Sequence, residues 1–177
     1  MGPSVDEVLD WLSQQTVEGL LVPGYVNRDE HPATHLRNRW VYLSTAAGPY
    51  LCAHQPLDDV VVRLSVVDSV SDAERDVTEF LDEGEEFTLV HLTDLYFPAL
   101  ESAGPLTGAR YYLDPRSDPG KGTVAALELS LGAYTTLFLD PLTWGGLELG
   151  RRGDFERWYA NRFSVHQRHL REVRWAP

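Results

Sequence analysis

Apolar residues repeat along this chain with two periods, one helical and one strand-like, and the period changes several times. Val5, Val8, Leu9 and Leu12 recur at helical spacing behind Ser4 and Glu7, the two ends of a capping box, which predicts a helix over residues 5–15. Residues 20–22 predict a short strand that Pro23-Gly24 should stop, and residues 25–38 show no period and predict a loop. Residues 40–44 and 50–54, parted by Ala46-Ala47-Gly48-Pro49, predict a hairpin, with a further strand over 59–67. Ser71 and Glu74 repeat the capping-box spacing. With Ala73, Val77, Phe80 and Leu81 on one face and Gly84 beyond, they predict a second helix over 72–82.

Alternation around Phe87, Leu89 and His91 predicts a strand over 86–92, whereas residues 94–100 fit neither period. Strands are expected at 109–113, 123–131, 134–139 and 147–149, with 114–122 as a mobile loop. Phe155, Trp158, Tyr159, Phe163, His166, Leu170 and Val173 form one helical stripe. It predicts a last helix over 155–173, capped by Asp154 and laid with its aromatic face on a sheet. The order helix, strands, helix, strands, helix lacks β-α-β alternation. The expected fold class is therefore α+β: a mostly antiparallel sheet of about six to eight strands with three helices, N-terminal, central and C-terminal.

At 177 residues and 43% hydrophobic content, the chain can bury one sizeable core, so one domain over 1–177 is expected. The single cysteine, Cys52, leaves no internal disulfide and no zinc site that needs two thiolates, which favours a reducing compartment, the cytoplasm. The start has neither a basic segment nor an apolar leader, and the apolar runs are far shorter than the roughly 20 residues of a membrane helix, so neither secretion nor membrane insertion is expected. Net charge is −12, unevenly distributed: residues 1–150 carry 8 basic and 24 acidic side chains, and residues 151–177 carry 7 and 3. An acidic body repels nucleic acid and draws basic partners.

Candidate chemistry is sparse. His31 and His35 stand four apart, but Pro32 lies between them and the glutamate of a zinc protease helix is missing. His166 and His169 are three apart without further ligands, so no metal and no cofactor is expected. Gly120-Lys121-Gly122 lacks the spacing and the hydroxyl of a phosphate-binding loop, no Gly-x-Ser-x-Gly elbow occurs, and Cys52 in a strand reads as a small buried hydrophobe. Asp94, Tyr96, Tyr111, Tyr112 and Asp114 gather at expected strand ends, and with His91 could line a cleft for acid-base or orienting roles. Trp144, before Gly145-Gly146, could anchor a partner. The seven C-terminal arginines are expected to dock on the chain's own acidic body.

Strand pairs that end in Gly153-Asp154-Phe155-Glu156-Arg157-Trp158-Tyr159 resemble the end of SUKH immunity proteins, in which a helix bearing a Phe and a Trp closes a sheet. The likeness covers under a third of the chain, and the N-terminal half departs from that family's pattern. What it implies is bacterial toxin neutralisation. The leading expectation is a non-enzymatic protein-binding domain, an immunity or inhibitor protein being one form. Its acidic surface, with Trp144, would take a partner with a basic surface and not nucleic acid. The alternatives are a small enzyme or ligand-binding domain built on Asp94, Tyr96, Tyr111 and His91, and a structural subunit of a larger assembly.

Overall fold

The computed structural model describes residues 2–28, 33–97, 103–143, 146–161 and 170–177. Among them the chain forms α1 (Val5–Ser13), β1 (Val17–Asn27), β2 (Ala33–Leu36), β3 (Trp40–Thr45), β4 (Tyr50–His54), β5 (Val62–Val67), α2 (Ser71–Thr78), β6 (Glu85–His91) and α3 (Thr93–Tyr96). It continues through β7 (Leu106–Leu113), β8 (Thr123–Val124), β9 (Ala126–Leu131), β10 (Thr135–Thr143), β11 (Gly146–Gly150), α4 (Asp154–Asn161) and β12 (Arg171–Trp175). The class is α+β, but the strands divide between two antiparallel sheets. The first has seven strands in the order β2-β1-β3-β4-β5-β8, with β6 on the other side of β1; the second has five, ordered β11-β10-β9-β7-β12.

The sheets share one core. Leu20, Val22, Val41, Leu43, Leu51 and Leu64 from the first sheet meet Leu106, Leu127, Leu129, Leu137, Leu139 and Leu147 from the second. The buried Val5, Val8, Leu9 and Leu12 stripe of α1 joins the same cluster, packed against β5 and β7. Its capping box forms as expected, with Ser4 and Glu7 bonded reciprocally. The outer face of the first sheet carries Leu21, Tyr42 and Cys52 under Ala73 of α2. The outer face of the second carries Tyr112, Ala126 and Phe138 under Phe155 and Trp158 of α4. Several strands are thus buried on both faces, which explains apolar runs without alternation.

Several expectations are corrected. Pro23-Gly24 does not stop β1, which runs on to Asn27 and takes the first three residues of the expected 25–38 loop, while β2 takes four more. On one side of β1 the partner changes from β3, paired through Leu21, to β2, paired from Gly24, so the missing Pro23 N–H falls at the changeover. The Pro23 carbonyl accepts from Arg37 N–H at 2.8 Å, and a side chain on Gly24 would lie 2.3 Å from the His35 carbonyl oxygen. α2 ends at Thr78 rather than near 82. The Ser71–Glu74 box does not form; Ser71 Oγ meets Ser69 Oγ at 2.9 Å, and Phe80 is left 64% exposed.

Residues 123–131 form two strands in different sheets, with the crossing at Ala125, whose N–H donates to the Tyr112 carbonyl at 2.7 Å. The 114–122 segment is laced rather than loose: Asp114 accepts from Arg116 and Ser117, and Asp118 N–H donates to Thr123 Oγ1. The single C-terminal helix is replaced by α4 and, after residues outside the described set, by β12 paired with β7. Asp154 is the first residue of α4 rather than its cap, and its carboxylate accepts from Arg151 N–H at 2.5 Å. Phe163 and His166 lie outside the described residues, whereas Val173 and Trp175 pack on the core as alternate residues of a strand.

Candidate functional site

The residues expected to share a cleft do not converge. His91 is exposed at the end of β6, and Asp94 is exposed on α3 one step further on. Tyr96 is half-buried; its hydroxyl donates to the Leu149 carbonyl of β11 at 3.3 Å, and the Arg151 guanidinium lies 5.3 Å over its ring. Tyr111 faces the core from β7, and its hydroxyl donates to Asp6 of α1 at 2.9 Å. Burial, then that bond, pushes its pKa up to about 12, so it serves as a clamp between α1 and the second sheet rather than a proton donor near neutrality. Trp144 and His31 lie outside the described residues; His35 is exposed on β2 and stacks on Tyr25 at 4.9 Å.

Under α2, the outer face of the first sheet brings together residues that sequence reasoning left apart. Trp40 stacks on its cross-strand neighbour His54 at 4.1 Å. The Trp40 indole N–H donates to Asp76 at 2.9 Å, and Arg39 pairs with the same carboxylate at 3.2 Å. Burial, with Arg63 and Arg39 adding to it, draws the His54 pKa down to about 4, so the ring is neutral near pH 7. Two residues before it on β4, burial pushes the Cys52 thiol up to about 12, the opposite of what a nucleophile requires. Both groups are held as packing elements.

Beside this cluster lies an acidic face. Residues 68–86 hold nine carboxylates, at 68, 72, 74, 76, 79, 82, 83, 85 and 86, against the single base Arg75. Ion pairs with Arg75, Arg39 and Arg28 engage Asp72, Asp76 and Glu86. Glu74, Glu79, Asp82 and Glu83 have no ion pair among the described residues, and all four are exposed. Within this face Phe80 borders a groove of about 210 Å³ formed with Arg37, Arg39, Asp76 and Val77. A windowed charge count finds the acidic run in the sequence. The exposure of Phe80 has no such signal, because it depends on α2 ending one turn early.

A larger groove, of about 620 Å³, opens on the outer face of the second sheet beyond α4. Arg110 on its floor donates to Glu128 at 2.7 Å and to Glu156 of α4 at 2.9 Å. The bond to Glu128 chiefly raises the guanidinium pKa, and the bond from Arg110 holds Glu156 below the usual carboxylate range. Ser130 and Thr136 add hydroxyls, and Arg152 and the 85% exposed Tyr134 stand at the rim. Among the described residues no three His, Cys, Asp or Glu side chains come together as a metal-holding group, and no helix is long and apolar enough to cross a membrane.

Compared with known proteins, the chain matches no family model, no curated protein and no solved structure at a significant level. The local likeness of residues 153–159 to SUKH immunity proteins thus has no counterpart at the level of the whole chain.

Proposed function

We propose that this chain is a non-enzymatic protein-binding domain that takes a partner with a basic surface on the acidic face of α2 and the turn into β6. An immunity or inhibitor protein that masks a cationic target is one form of such a domain. The observation that carries this reading is the run of carboxylates around Phe80: most have no ion pair among the described residues, and an exposed aromatic ring sits among them. Charge of one sign on one face speeds encounter with an oppositely charged partner, and a buried aromatic anchor supplies affinity that charge alone does not. The lowered His54 pKa and the raised Cys52 pKa add support, since both groups are set against acid-base or nucleophilic work near pH 7.

The test compares capture from a lysate of the native host by the full chain and by a folded Glu74→Lys, Glu79→Lys, Glu83→Lys variant. The expected result is a basic partner held by the first and lost by the second, with an association rate that falls steeply as salt rises. Equal capture by both, or association indifferent to salt, refutes the reading.

The second groove favours a second reading, a domain that binds a small polar ligand. Its volume lies within the roughly 300–1,000 Å³ of ligand sites, and its hydroxyls and Arg152 suit a polar molecule. Thermal-shift screening with polar metabolites tests it: stabilisation lost in Arg152→Ala supports it, and no stabilisation by any of them rejects it.

A further inference from the structure

An open sheet edge normally carries some device that discourages pairing: shortness, glycine or proline, a bulge, or charge. Most of the edges here have one. β8 has two residues and β2 four. β11 begins and ends in glycine and meets β10 across a register break, and β12 alternates Arg171, Glu172 and Arg174 around Val173. β6 differs. It runs seven residues without Gly or Pro, in unbroken register with β1, and among the described residues no strand lies on its outer side.

Hydrogen bonding at its two ends shows which backbone groups face outward. Leu92 N–H donates to the Leu20 carbonyl at 2.8 Å, and Arg28 N–H donates to the Gly84 carbonyl at 3.2 Å. Even-numbered positions therefore turn their polar groups toward β1, and the odd-numbered Glu85, Phe87, Leu89 and His91 turn theirs outward. Of these, the Glu85 N–H is taken by the Asp82 carbonyl at 3.1 Å within the preceding turn. The odd side chains share the α2 side of the sheet, because Leu21, the register partner of His91, belongs to the cluster under α2, whereas Val90 packs on the central core.

We propose that β6 pairs antiparallel with β6 of a second copy of this chain, about a two-fold axis at Thr88, to make one continuous sheet across a homodimer. An isologous pair needs a strand that is complementary to itself about one centre, and outward positions must meet outward positions. A centre at Phe87 sets Glu85 against the partner's Leu89, and a centre at Leu89 leaves Glu85 without an opposite residue in β6. The Thr88 centre engages all four outward residues. Phe87 lies across from the partner's Leu89, so an aromatic-aliphatic pair forms twice, and Glu85 lies across from the partner's His91, so a carboxylate meets an imidazole twice. Phe87 and Leu89 exchange backbone bonds with the partner's Leu89 and Phe87, and His91 N–H reaches the partner's Glu85 carbonyl. On the core side Glu86 stands opposite the partner's Val90, with its carboxylate already held by Arg28 at 2.6 Å.

The complement at the edge is short, and two chains of net charge −12 repel each other. The dimer is therefore weak and strengthens as salt screens that repulsion. This is opposite to the salt response of the basic-partner reading, so the two fail separately.

Sedimentation velocity of the full chain up to about 0.5 mM tests the proposal, with each variant checked for a native far-UV spectrum. Wild type is expected to shift toward twice the chain mass with concentration, more so in added salt. Glu85→Lys and His91→Asp each set like charges or two donors across the axis and should weaken the dimer about fivefold to tenfold. The double variant Glu85→Lys, His91→Asp restores opposite charges and should recover most of the loss. Leu89→Pro removes an outward N–H and leaves the bonds to β1, so it should abolish association in a folded monomer. A wild type that stays monomeric throughout, single variants that associate like wild type, or a folded double variant that stays as weak as the singles overturns it; if Leu89→Pro does not fold, the charge swap decides.

Discussion

His54 gives the sharpest test of how the first sheet and α2 are packed. Its ring is stacked on Trp40 at 4.1 Å and flanked by Arg63 and Arg39, and its pKa falls from 6.5 to about 4. Above the unfolded value the histidine is neutral in both states and exerts no pH-dependent effect. As pH drops below 6.5 the unfolded chain takes up a proton that the native ring refuses, so native stability falls through the window from 6.5 down to about 4. At about 1.4 kcal/mol per pKa unit, the loss attributable to this one residue by roughly pH 4.5 is about 2 to 3 kcal/mol. Other groups titrate too: Asp114 and Glu156 have lowered pKa values and also withdraw stability in acid, so wild type alone cannot isolate the effect.

The comparison is therefore with His54→Gln, which keeps a planar polar side chain and removes the titration. Urea unfolding followed by tryptophan fluorescence at about pH 7.5 and about pH 4.5 supplies the four free energies needed. Near neutrality the variant should be the less stable by about 0.5 to 1.5 kcal/mol, the worth of the lost ring stack. In acid that gap should close or reverse, for a relative change of about 2 to 3 kcal/mol. A gap constant to within about 0.5 kcal/mol would mean that His54 takes up its proton freely in the native state, and that α2 packs too loosely over Trp40 and His54 to keep water from the ring.

Two further outcomes are expected. Phe155→Ala removes a ring that is 6% exposed and stacked on Tyr112 at 4.0 Å, so it should cost about 3 to 5 kcal/mol by calorimetry, and a loss below about 1 kcal/mol would show that α4 does not seal the second sheet. Gly24→Ala drives a methyl group into the His35 carbonyl; because β2 is exposed throughout, hydrogen exchange over residues 33–36 should quicken markedly while the melting temperature falls only a few degrees, and unchanged exchange would refute the close approach.

Local rules read from the sequence carried as far as local physics reaches. The α1 stripe and its capping box, the β3–β4 hairpin and the α+β class all follow from residues close together in the chain, and the structure has them. The acidic balance was equally legible, since charge is a property of composition. What the local pattern could not supply was the second sheet. Residues 123–131 read as one strand because apolar positions run through the segment with no Gly or Pro to break it, yet the chain turns at Ala125 and its halves join different sheets, a choice made by partners far away in sequence. Pro23-Gly24 reads as a stop because the rule assumes that every N–H in a strand needs a ladder partner; at the changeover from β3 to β2 that demand is absent. The final residues read as helix because Val173 falls on a helical stripe, but as β12 the same residue pairs with Tyr111 of β7, and long-range pairing outweighs a weak local preference. Convergence of side chains is decided in the same way: Tyr111 and Tyr96 are both near expected strand ends in the sequence, but from β7 one hydroxyl goes to Asp6 and from α3 the other goes to Leu149, because burial obliges each polar atom to find the nearest partner that the tertiary packing provides.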